Sequence, residues 1–165
     1  MATHTYTERA PSRHFARTRS VAQSLTVLVS LAFIVIGVAG FIPSLTTNST
    51  QLANTGPESH TLLFDLFQTS VLHNVVHIAF GVIGLLAANG PRLARTFLIV
   101  GGLAYLGLTA WGFLVDMTSQ DNFLPLNTND NWLHLGLGAA MVILGLLTLR
   151  AGERTRTSTS LDTGT

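Results

Sequence analysis

The chain has no cysteine, which excludes disulfides, thiolate-ligated zinc, iron–sulfur clusters and thiol catalysis. It has no lysine either: all nine basic residues are arginine. Charged residues of every kind make up only 10% of its 165 residues, against about 25% in an ordinary soluble domain. The formal net charge of +1 gives no electrostatic basis for binding nucleic acid, and no nucleic-acid partner is expected. A Gly-rich phosphate loop after a strand, a His-Glu-x-x-His helix and a nucleophile elbow are all missing. The reading is therefore non-enzymatic, and no cofactor is assigned. What the chain has is apolar surface. Hydrophobic residues reach 47%, too many for a disordered chain.

That hydrophobicity is concentrated in four stretches: Val21–Ile42, Leu66–Ala88, Thr96–Val115 and Trp132–Leu149. The first stops at Pro43 and the second at Asn89-Gly90-Pro91, both breaker signals. At 1.5 Å per residue each stretch can cross a hydrocarbon core of about 30 Å, and inside lipid each must be a helix. A soluble bundle would need polar outer faces that these stretches lack.

The arginines orient the spans. Arg9, Arg13, Arg17 and Arg19 precede the first, Arg92 and Arg95 separate the second from the third, and Arg150, Arg154 and Arg156 follow the fourth. The other two loops carry only acidic residues, Glu58, Asp65, Asp116, Asp121 and Asp130. By the positive-inside rule both termini are cytoplasmic, in a multi-pass plasma-membrane protein, with Trp111, Phe113 and Trp132 near the outer interface. An Arg-rich start before an apolar run also describes a secretory signal, with Val38-Ala39-Gly40 as its cleavage site. The run is longer than the usual signal core of about 7–15 residues, so the first span is expected to stay. Residues 1–20 and 150–165, rich in Thr, Ser and Arg, read as disordered cytoplasmic tails around a domain at 21–149.

The two hairpins resemble each other. Gly40-Phe41 and Gly112-Phe113 close the first and third spans, and Asn74-Val75-Val76-His77 and Asn131-Trp132-Leu133-His134 lie in the second and fourth. The expected architecture is thus an all-α, four-span transmembrane helix bundle of two similar helical hairpins. They form a parallel internal repeat about an axis along the membrane normal. The repeat places His77 and His134 at one depth in the outer half. It also extends the second helix outward past the membrane surface, with Asp65 and Gln68 on it. The second and fourth helices are expected to pack on each other, with Gly81 and Gly138 in the seam.

On a helical wheel, Ser70, His73, Asn74, His77, Gly81, Gly84 and Ala88 share one face of the second helix. Asn131, His134, Gly138, Met141, Gly145 and Thr148 share one face of the fourth. These stripes should face the bundle and the aliphatic remainder the lipid. The candidate polar site inside the membrane is His73, Asn74, His77, Asn131 and His134. It has two readings. As a site, His73 and His77, one turn apart, have the spacing of a metal pair, and His77 and His134 suit axial haem ligands. As structure, Asn and His hydrogen-bond between helices, each pair contributing about 0.6–2 kcal/mol. The loop Asp116–Asn131 is rich in Asp and Asn, but its spacing fits no EF-hand, so Asn129 or Asp130 is expected to cap the fourth helix while Pro125 shapes the turn.

The stretches Gly40-Phe41-Ile42-Pro43 with Thr46-Thr47-Asn48, Leu66 to His77, and Asn127 to Gly138 together resemble a family of small bacterial membrane proteins catalogued as domain of unknown function 4383. The resemblance covers Val21 to Leu149. It implies four transmembrane helices in the plasma membrane and carries no reaction, substrate or functional residue. The functional expectation is a structural, accessory or partner-binding membrane protein, in contact with the lipid bilayer and with further copies of itself or another membrane protein. One alternative is a redox subunit binding haem or quinone through His77 and His134. Another is a small-solute or cation permease, for which four helices would have to oligomerise.

The topology is testable because there is no cysteine background. Single cysteines at Thr50 and Ser119 should react with an impermeant reagent in intact cells, and a cysteine at Thr157 should not. Labelling of Thr157 from outside would reverse the orientation.

Overall fold

The computed structural model describes residues 19–162, with side chains described for 19–148. Four α-helices dominate: α1 (Val21–Ala39), α2 (Val71–Ala87), α3 (Pro91–Leu114) and α4 (Thr128–Asp162). Between α1 and α2 three two-residue strands, β1 (Thr46–Thr47), β2 (Leu62–Leu63) and β3 (Phe67–Gln68), form an antiparallel sheet in the order β1-β2-β3. Thr46 pairs with Leu63, and Leu62 with Gln68.

Local chemistry sets the helix ends. Ser20 and Gln23 form a capping box at the start of α1. Ser70 caps α2 by accepting from the His73 N–H, at 3.1 Å. Pro91 opens α3 at a position where its missing N–H costs nothing. At α4, Asn127 Oδ1 accepts from the Asp130 N–H (3.0 Å), and Asp130 Oδ2 accepts from the Asn127 N–H (2.9 Å). The cap of α4 is therefore Asn127, in place of the expected Asn129 or Asp130. Asp130 stands three residues on, where the return bond of a capping box belongs.

The hairpins α1–α2 and α3–α4 are each tightly packed. Gln23 Nε2 donates to Ala88 O at 2.8 Å, which brings the end of α2 to the start of α1. Arg95 Nη2 donates to Thr148 O at 2.9 Å in the other hairpin. Within the hairpins backbone meets backbone. A Cβ on Gly81 would stand 2.5 Å from Ser30 O of α1, and a Cβ on Gly102 would stand 2.7 Å from Gly138 O of α4. This corrects the expected seam: Gly81 and Gly138 do not face each other but serve their own hairpins. Between the hairpins lies an aromatic core, Phe33 with Phe80 (ring centroids 4.8 Å) and Tyr105, together with Phe97, Leu98 and Met141.

Two further expectations change. The second helix was to run from Leu66, with Asp65 and Gln68 on it. It begins at Val71, because Leu62–Leu63 recruits Phe67–Gln68 as a strand and Phe64 and Asp65 turn the chain in the left-handed region (φ 53 and 60). At the other end, α4 continues to Asp162, through a segment whose composition read as a disordered tail. Extending a formed helix avoids the nucleation cost, and no proline interrupts the extension. Of the expected N-terminal tail, only Arg19 and Ser20 fall within the described residues.

Among the described residues three helices are long and apolar enough to cross a membrane: α1, α3 and Thr128–Thr148 of α4; α2 is also apolar but shorter, at 17 residues. Their outward faces are aliphatic, with Leu28 66% and Leu86 64% exposed. Every member of the two wheel stripes, from Ser70 to Ala88 and from Asn131 to Thr148, is buried.

The glycine seams make a prediction. Gly81→Leu and Gly102→Leu must separate two backbones and should each cost about 1–3 kcal/mol or abolish folding. Gly107→Leu and Gly136→Leu, where an added Cβ meets nothing within 4 Å, should leave folded yield in detergent unchanged. Equal tolerance at all four positions would show that close packing does not hold the hairpins.

Candidate functional site

The five candidate residues lie together at the loop end of the bundle, the end that carries the small sheet and the Asp116–Asn131 loop. None exceeds 9% exposure. They divide into two jobs. The asparagines close the hairpins. Asn131 Nδ2 donates to Gly112 O at 2.8 Å, and its side chain fills the space beside Gly112 where any Cβ would collide. Asn74 fills the matching space beside Gly40, with its Oδ1 accepting from the Thr69 hydroxyl.

The histidines form a cluster. His73 and His77 come from successive turns of α2, with ring centroids 4.6 Å apart. His134 reaches in from α4, 5.9 Å from His73 and 6.4 Å from His77. One nitrogen from each ring lies within 4.8 Å of those of the other two. Among the described residues this is the one group of three or more side chains placed to share a metal ion. The separate sequence pairings, His73 with His77 and His77 with His134, thus merge into one site. Phe33 stacks on His77 and Tyr105 packs edge-on to His134, at 5.0 Å, so the rings are held by aromatic contacts. His73 Nδ1 and His134 Nδ1 are buried without a hydrogen-bond partner, as are Asn74 Nδ2 and Asn131 Oδ1. A buried polar atom without a partner costs about 1–3 kcal/mol; of these four, Asn131 Oδ1 lies against Gly112, while the two Nδ1 atoms belong to the histidine cluster.

Beside the cluster is a cavity of about 260 Å³. Its walls are apolar side chains of α1 and α4, its roof is the turn between β2 and β3 with Phe64 and Phe67, and its polar end is the cluster with Asn74, Gln68 and Asp130.

Asp130, which the sequence offered only as a cap, also ties the roof to α4. Its Oδ2 accepts from the Gln68 N–H at 3.0 Å as well as from Asn127. Phe33, Tyr105 and Thr69 were not singled out by sequence, and Gln68 only as part of the second helix. For Asp130, Phe33 and Tyr105 the signal was available: the offset that carries Asn74 to Asn131 carries His73 to Asp130, and the offset that carries Gly40 to Gly112 carries Phe33 to Tyr105.

The acidic loop is occupied with its own structure. Asp116 Oδ1 accepts from the Thr118 hydroxyl and N–H, which hold its carboxyl below the usual carboxylate range. Asn122, fully buried, braces the turn through Met117 O, Leu126 O and the Leu126 N–H.

With this geometry in view the chain belongs to the family described as "Domain of unknown function (DUF4383)", whose model matches residues 23–147. No curated protein and no solved structure matches it.

Asp130 provides a stability test. Asp130→Ala leaves two backbone N–H groups without their acceptor and should destabilise the protein by about 2–4 kcal/mol. Asp130→Asn keeps one oxygen in place and should cost about 1 kcal/mol, read as the smaller loss of thermal stability in detergent. If both variants melt like the wild type, this clamp does not hold the roof.

Proposed function

We propose that the protein is a four-span plasma-membrane protein that binds a divalent transition-metal ion, without catalysing a reaction, through His73, His77 and His134. The observation that carries this is the convergence of three buried imidazoles whose nitrogens lie within 4.8 Å of one another, two of them with an unpartnered Nδ1. Imidazole nitrogen suits zinc, copper, iron and nickel, whereas magnesium and calcium take oxygen. Three histidines with a fourth position left free is a recurrent zinc arrangement. Small ring rotations would bring the nitrogens to the separations that bonds of about 2.0–2.1 Å require.

The membrane reading needs α2 to cross with the other three helices. At about 1.5 Å per residue its 17 residues rise about 25 Å, a little short of the hydrocarbon core. Two features support the crossing. Gln23 bonds Ala88 at one end and Asn74 packs on Gly40 at the other, so α2 runs the length of α1. The arginine distribution supports cytoplasmic termini. A parallel repeat is supported by the matched pairs Asn74–Gly40 and Asn131–Gly112, and by Ser30–Gly81 and Gly102–Gly138, which keep the same offsets along the chain.

Haem is disfavoured by shape. His73 stands beside both His77 and His134, where a macrocycle between those two would have to pass, and the cavity is too small to hold one.

Purified full-length protein, stripped with chelator and dialysed against Co²⁺ or Zn²⁺, should retain one ion per chain. The cobalt form should show the intense visible bands of low coordination number. His77→Gln and His134→Gln should still fold, within about 1–2 kcal/mol, because Gln can hydrogen-bond between helices. Each should lose more than about 100-fold in affinity, beyond the effect of removing an outer-shell partner. Unchanged stoichiometry in the double variant, or no retained ion in the wild type, would leave the histidines as interhelical packing.

A further inference from the structure

Beyond the metal ion, the cavity next to the histidines has a shape and chemistry of its own. One wall is α1, at Leu28, Val29 and Ala32, and the other is α4, at Leu133 and Leu137. Leu28 and Leu133 are also among the residues exposed on the outside of the bundle, so the gap between α1 and α4 opens sideways. For a protein in a bilayer, sideways means into lipid.

The polar end differs from the walls. His73, His77 and His134 line it, and a neutral imidazole offers one N–H to an acceptor. Among the described residues no arginine lines the cavity, and its single charged residue is Asp130. In the metal-free protein a carboxylate or phosphate head would meet that acidic group with no cation to offset it. The head that fits is neutral and accepts hydrogen bonds. Phe33 and Phe67, with the His77 ring that Phe33 stacks upon, favour a flat ring. About 260 Å³ is slightly below the usual range for a whole-ligand pocket of about 300–1,000 Å³, so it suits a ring head with its tail left between α1 and α4.

We infer that this crevice is a lateral binding site for a neutral, lipid-soluble ring compound with carbonyl oxygens and an apolar tail, the chemistry of a prenylated quinone. The carbonyl accepts from an imidazole N–H, the ring lies against Phe33 and Phe67, and the tail leaves past Ala32. The site does not require the metal ion, so it stands or falls separately from the metal reading.

The test uses the full chain in lipid nanodiscs after chelator treatment, with tritiated decylubiquinone as the probe. Saturable binding of one molecule per chain is expected, and a hundredfold excess of oleic acid should not displace it. Ala32→Trp, on the exposed wall of α1, fills the crevice without touching the histidines and should weaken binding at least tenfold. Should that variant not fold, Leu133→Trp closes the crevice from the opposite wall. Leu103→Trp, on a lipid-facing surface outside the cavity, should bind as the wild type does. Non-saturable uptake, displacement by oleic acid, or full binding by the crevice variants would each overturn the proposal. Cobalt stoichiometry, measured on the same preparations, judges the metal site independently.

Discussion

Each hairpin depends on an asparagine standing where a glycine leaves room for it. Asn74 occupies the space beside Gly40, and Asn131 the space beside Gly112. The contact does several things at once. It lets the end of one helix meet the start of the next without a side chain between them. It also gives Asn131 Nδ2 the Gly112 carbonyl at a helix end, where backbone acceptors have no intrahelical partner. And it fixes the rotation of α2 and α4, because a side chain anchored there directs the residue three positions later inward as well. That residue is His77 in one helix and His134 in the other. The histidine cluster is thus a geometric consequence of how the hairpins close.

Below that lock the hairpins are held mainly by close packing. Gly81 lies on the α1 backbone at Ser30, and Gly102 and Gly138 lie on each other. In a bilayer the tails are as apolar as the side chains, so close van der Waals contact and a few hydrogen bonds do the work that the hydrophobic effect does in water. Polar bonds to carbonyls, Gln23 to Ala88, Thr26 to Ala94 and Arg95 to Thr148, then secure the opposite end.

Much of this was legible in the sequence, and what was not has a common cause. The four helices follow from apolar length. The inward stripes follow from a period of 3.6, and the structure buries every residue they contain. The pairing of the stripes was misassigned, because small residues mark a close approach without naming the helix that approaches. Here it is the neighbour along the chain. The roof was illegible for a related reason. Leu62–Leu63 and Phe67–Gln68 are too short for alternation to register, and Leu66–Ala88 reads as one apolar run although its first residues belong to a strand. The turn there uses Phe64 and Asp65 at positive φ, which for a bulky phenylalanine is held by its surroundings and not by its own preference. Asp130 was visible only as a capping residue, since its bond to Gln68 joins segments far apart in the chain.

The same long-range bond bears on what the polar cluster is for. If the histidines served only to join helices, their ring nitrogens should be the groups that are satisfied. Instead the joining falls to Asn131 and to Asn74 with Thr69, while Nδ1 of His73 and Nδ1 of His134 stay buried without partners. Asp130 meanwhile fastens the roof that covers them, through two backbone N–H groups. The fold thus uses a buried carboxylate to hold its roof, while one nitrogen in each of two imidazoles beneath it stays without a partner. The lid carries Phe64 in a strained conformation at the mouth of the cavity, where binding sites commonly keep such strain. Structure around the cluster is thus secured by groups other than the imidazoles, which is the separation of roles that the metal proposal requires.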